Sequence, residues 1–115
     1  MIRSFDAARV RLSHVPLEQA ALDAERNTGG DVTTAVSAEA TLGDMEVGVW
    51  EHSVGTSIDV ELEEVFVVLQ GEGLVTCDDG GRIDLAPGVV GLLPMGAKTT
   101  WTITKPLRKV WITLA

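Results

Sequence analysis

From Val32 onward the chain is cut into short β-like runs, with turn residues arriving roughly every eight to twelve positions. "VTTAVSAEA", "MEVGVWEH", "IDVEL", "EVFVVLQ", "LVTC", "RIDL", "VVGLL", "KTTWTIT" and "KVWITL" follow in order. Between them lie "SVGTS", "DDGG", Pro87-Gly88, Pro94-Met95-Gly96 and Lys105-Pro106. Asp and Gly tolerate the positive φ of hairpin turns, and Pro supplies no ladder donor, so these stretches end strands. Such a series predicts an all-β sandwich or barrel. The one helical pattern is "PLEQAALDAER", residues 16 to 26. Pro16 suits a first helical turn, Leu17, Ala20, Ala21 and Ala24 fall on one stripe, and Gly29-Gly30 follows as a stop. The chain is thereby divided into an N-terminal strand/helix extension, 1–29, and a β-barrel domain, 30–115.

Alternation assigns faces within the runs. Glu64, Phe66, Val68 and Gln70 share one side of their strand, and Val65, Val67 and Leu69 the other. Both sides are largely apolar, which predicts cover on both, one of them a second copy of the chain in a homodimer. In "SIDVEL" the apolar set is Ile58, Val60 and Leu62, opposite Ser57, Asp59 and Glu61. A half-buried strand normally turns its apolar set inward, which predicts a dry inner wall; the reverse register would bring Asp59 beside Glu64.

Composition narrows the function classes. The net charge is −8, and residues 44 to 84 hold eleven of the seventeen acids with a single base, Arg82. Such a middle repels a polyanion, so no nucleic-acid partner is expected. No run approaches the ~18 apolar residues of a membrane span, and no membrane partner is expected. Cys77 is the lone cysteine. It cannot form an intramolecular disulfide, and together with an N-terminus lacking a signal-like apolar stretch it points to the cytoplasm.

Four stretches carry a family likeness: "GVWEHSVG" (48–55), "EEVFVVLQGEGLVTCDDGG" (63–81), "APGVVGLLPMGAKTTW" (86–101) and "PLRKVWITL" (106–114). In that order they resemble the cupin superfamily. The likeness is greatest to small single-domain cupins of the ureidoglycine-aminohydrolase and ethanolamine-utilisation types. The resemblance implies a double-stranded β-helix, or jelly-roll barrel, and a metal held by three histidines and a glutamate. Glu64, six residues and Gly71 fit the end of the first cupin motif. Its two histidine positions fall on Ser57 and Asp59, or on Ile58 and Val60 with shorter spacing. Gly88, Pro94 and Gly96 match the second motif, whose histidine position is Thr99. Only the glutamate of the usual ligand set remains. No cofactor is therefore expected, and a divalent metal would need a degenerate set such as Glu64, His52 and Asp59.

The candidate site residues follow from that frame. Glu64 is the candidate base, acid or substrate anchor; its plainer reading is a glutamate bonded at a strand end. Phe66, Thr99, Trp101, Trp50 and His52 are the candidate ligand-binding residues. Trp101 offers a stacking face and one N–H donor, or simply fills the barrel. Trp50 is either a wall of the site or a core or interface anchor. His52 is a site imidazole in one reading and a surface or dimer-contact histidine in the plainer one. Two functions follow: binding of a small polar metabolite without a metal, or a metal-dependent or Glu64-based hydrolase or isomerase for a ureido- or sugar-like compound.

Overall fold

The structure, a computed structural model, describes residues 1–17 and 32–114. Its eight strands are β1 (Val15–Pro16), β2 (Thr33–Leu42), β3 (Met45–His52), β4 (Gly55–Val60), β5 (Glu64–Cys77), β6 (Arg82–Leu85), β7 (Val90–Leu93) and β8 (Lys98–Leu114). Every pairing is antiparallel.

Two long strands organise the barrel. The first half of β5 lies between β7 and the end of β8, which pairs in turn with β3. The second half of β5 lies between β6 and the start of β8, which pairs with β4. Each long strand thus serves both walls of the double-stranded β-helix, bending where the register shifts between Val68 and Gly73. Gly71 sits at that bend with φ of 97°, and a Cβ there would lie 2.3 Å from the Pro106 carbonyl. A glycine is required by both conformation and space.

The sequence placed several limits well, including those of β3, β6 and the Asp-Gly turn, where Gly80 adopts φ of 96°. It cut β5 and β8 in two. Gly71 and the Lys105-Pro106 joint are bends in continuous strands, because the ladder resumes on the other wall.

Two further expectations are corrected. Pro16 does not open a helix: Val15 and Pro16 pair with Thr34 and Thr33 as a short strand. The remainder of that stretch, 18 to 26, lies outside the described residues, and no helix occurs among the described ones. The apolar face of "SIDVEL" is not the inner wall. Ser57 and Glu61 are buried, whereas Val60 and Leu62 are 63% and 65% exposed. The polar set faces inward because each buried group finds a hydrogen-bond partner there, which removes the usual cost of its burial.

The core joins Phe66, Val68, Val75, Leu85, Leu93, Trp101, Ile103 and Leu107. On the outer face of β3 and β8 the N-terminal segment is pinned by Arg108. Its guanidinium donates to the carbonyls of Ala7 (2.9 Å) and Val10 (2.5 Å) and pairs with Glu51 at 3.1 Å. No described helix is long and apolar enough to cross a membrane.

Candidate functional site

At the open end of the inner wall lies a cavity of about 210 Å³, lined by Trp50 from β3, Asp59 from β4, Glu64 from β5 and Trp101, Lys109 and Trp111 from β8. Glu61, Leu62, Val36, Glu46 and Thr113 complete it. The β8 contribution follows from alternation: Thr99, Trp101, Ile103, Lys109 and Trp111 all turn inward along one strand and are all buried.

Lys109 is the centre of the arrangement. Its ammonium donates to Glu64 Oε2 at 2.6 Å, with only 5% of the lysine side chain and 14% of the glutamate exposed. The same nitrogen stands 4.5 Å from the Trp101 ring centroid and 4.7 Å from those of Trp50 and Phe66. A buried ammonium loses its hydration, and here three aromatic faces and one carboxylate replace it. The rings support one another, Trp50 edge to face on Trp101 at 5.4 Å and Phe66 tilted against Trp101 at 5.7 Å.

Glu61 is the second buried acid. Its Oε1 accepts from Thr99 Oγ1 at 2.7 Å and from Trp101 Nε1 at 3.1 Å, so it fixes the indole that Lys109 stacks against. Asp59 accepts the Val60 amide at 2.8 Å on Oδ1. Burial raises the Glu64 carboxyl above its ordinary range, with the Lys109 charge opposing. Asp59 is likewise raised, by burial and then by the Glu61 charge.

The expected site residues divide between wall and support. Glu64, Trp50 and Trp101 line the cavity. Phe66 stands behind them as part of the Lys109 cage, and Thr99 acts through Glu61. His52 is neither on the surface nor on the cavity wall: it is fully buried and packs against Trp50 at 5.3 Å. Its Nδ1 donates to the Ser53 carbonyl at 2.5 Å, which leaves Nε2 to accept from Ser57 Oγ at 2.8 Å. Burial lowers its pKa, opposed by the Ser53 bond, and the neutral tautomer fits both partners.

Sequence reasoning missed Glu61 and Lys109. Alternation had turned Glu61 outward. Lys109 was reachable, because the parity of Thr99, Trp101 and Ile103 continues through it.

These residues do not fit the metal that a cupin barrel implies. Ser57, Asp59 and Thr99 do stand on the inner side where histidines would serve. The Ser57 hydroxyl donates to His52, the Thr99 hydroxyl to Glu61, and Glu64 is paired with an ammonium. No group of three or more His, Cys, Asp or Glu side chains suited to a metal occurs among the described residues.

Residues 39–111 match the EutQ-like cupin domain. The chain belongs to that family. Among solved structures, this EutQ-like cupin is similar to the EutQ protein of Clostridium difficile, with a TM-score of 0.73 at 19% identity over 96% of this chain and 85% of that one. A putative ethanolamine utilization protein Q from Salmonella typhimurium gives 0.61 at 15% identity, over 90% and 94%. A cupin superfamily protein from Desulfitobacterium hafniense gives 0.58 at 23% identity, over 91% and 98%. At these identities the likeness establishes the fold, and function has to be argued from the site. No curated protein matches the chain.

Proposed function

We propose that this EutQ-like cupin binds a small polar metabolite in its barrel cavity without a metal. The observation that carries the reading is the Lys109–Glu64 pair inside a cavity walled by tryptophans. The protein's own ammonium neutralises the glutamate that would otherwise ligate a cation. An opening with aromatic walls and convergent polar groups is the ordinary form of a small-molecule site. Thermal unfolding tests it. Saturating Mn, Fe, Ni or Zn should leave the midpoint within about 1 °C, whereas a pool of polar metabolites should contain a component that raises it. A metal present at a hundredfold over its Kd would raise the midpoint of so small a domain by at least about 10 °C, and that result would overturn the reading.

A second reading, proton-transfer catalysis on a small molecule, is favoured by the raised pKa of Glu64 at the cavity wall. Glu64→Gln should then abolish turnover of a confirmed substrate while retaining its binding.

The outer face supports self-association. Val65, Leu92, Met45 and Leu114 are exposed around one apolar groove completed by Pro94 and Ile112. Light scattering should report a dimer, and Leu92→Lys should dissociate it; a monomer at every concentration would remove this element.

A further inference from the structure

The cavity has an unbalanced charge. Asp59, Glu61, Glu64 and Glu46 line it against one cation, Lys109, which is committed to Glu64. Each of three acids retains an oxygen without a protein donor among the described residues. On Glu61, which is only 6% exposed, both donors meet Oε1, leaving Oε2. On Asp59 the donor meets Oδ1, leaving Oδ2, and on Glu64 the Lys109 ammonium meets Oε2, leaving Oε1. These oxygens leave the cavity wall with an excess of negative charge that the one committed ammonium does not balance, and an incoming donor with positive charge meets it favourably.

A second observation is independent of the acids. Trp111 lines the same cavity, is 8% exposed, and buries its indole N–H without an acceptor. Orphaned donors are uncommon in folded proteins and mark places where a partner is missing. The tryptophan walls favour cations too, and Lys109 already demonstrates that use at 4.5 Å and 4.7 Å from the two rings it shares with the cavity.

We propose that the ligand is a small organic cation, a primary ammonium compound bearing a hydrogen-bond acceptor. Its charged head bonds the free oxygens of Asp59 and Glu61, its body lies on Trp50 and Trp101, and its acceptor meets the Trp111 N–H. This rests on the reading of the cavity as a metabolite site. The volume of about 210 Å³ suits a head group with a short chain. An anion of the same shape would meet the carboxylates as like charges. The raised pKa values of Asp59 and Glu64 agree: a bound cation would favour their ionised forms, so binding should release protons and weaken as pH falls.

Three probes matched in shape isolate the charge: propylammonium, 1-propanol and propionate, titrated at equal ionic strength while the three indole N–H signals are followed by NMR. Propylammonium, which carries no acceptor for Trp111, should shift the Trp101 signal saturably, binding at least about tenfold more tightly than the other two, as one charge-assisted hydrogen bond would give. Asp59→Asn, at an exposed position where the fold does not depend on the charge, should weaken it about threefold to tenfold. Glu61→Gln should weaken it further. Equal or tighter binding of 1-propanol or propionate would overturn the cation proposal while leaving the metabolite site standing, since the cavity would still be entered. Propylammonium binding unaffected by either substitution, or no saturable shift with any probe, would overturn it as well. The metabolite-pool melting experiment judges the underlying reading separately.

Discussion

Arg108 and Lys109 are consecutive residues of β8, both buried, both paired with a glutamate, and they point to opposite faces of one wall. Arg108 looks outward, and each of its three guanidinium nitrogens donates, to two backbone carbonyls and Glu51, tying down the N-terminal segment. Lys109 looks inward, makes one hydrogen bond, and is otherwise enclosed by π faces beside open space. Burial of charge alone therefore does not mark a functional site. What separates the two is unspent capacity: the outer pair closes its hydrogen bonds, and the inner pair borders acids with oxygens left over.

The comparison breaks most visibly at Lys109. Removing one partner of a buried pair leaves the other charge stranded, so Lys109→Met should cost about 3–5 kcal/mol of stability. Adding Glu64→Gln to it should recover at least about half of that loss, because the stranded carboxylate is gone. Urea unfolding of the two singles and the double reads both quantities. A double variant as unstable as the sum of the singles would show that the pair is not the unit described here.

Arg108→Met should cost less, about 2 kcal/mol, because Glu51 and the freed carbonyls lie near solvent and can rehydrate. The loss should also be local. Limited proteolysis should cut within the first 17 residues of the variant, while the Trp101 indole signal keeps the wild-type response to propylammonium. Loss of that response in Arg108→Met would mean that the two faces are coupled through the strand.

The different legibility of the two faces in the sequence has the same physical origin. Alternation and turn chemistry are local, and they located Met45–His52 and Arg82–Leu85; Glu64 and Trp101 were singled out through the cupin motif positions, and Trp50 stayed open between a wall of the site and a core or interface anchor. Reading alternation as hydrophobic-inward failed on "SIDVEL", because a strand that lines a polar cavity buries Ser57 and Glu61 and exposes Val60 and Leu62. The energy that permits the inversion comes from Thr99 and Trp101, 38 and 40 residues away from Glu61 in the chain. Lys109 and Glu64 are likewise 45 residues apart, so neither residue alone announces the pair. His52 was misread for the same reason: the serines that satisfy both ring nitrogens make complete burial affordable, and the strand pattern does not record them.

The smallest expected effect separates the faces by pH. The His52 imidazole is held below its ordinary value by burial, with the Ser53 carbonyl opposing and Lys109 adding to the depression. The unfolded chain takes up that proton near pH 6.5 while the folded one stays neutral, so the contribution is whole above about 6.5 and is lost as pH falls towards the folded value. Glu64 runs the other way. Burial raises its folded pKa, so the folded state binds a proton first, and wild type should gain on Glu64→Gln as pH falls from above the raised value towards about 4.5. Urea unfolding in steps from about pH 8 to 4.5 should give opposite slopes when wild type is compared with Glu64→Gln and with His52→Asn. Arg108→Met should retain both slopes, because Arg108 is not among the charges acting on either group, whereas Lys109 is among those acting on both. A change of either slope in Arg108→Met would place the outer cation in electrostatic contact with the cavity and remove the distinction between the two neighbours.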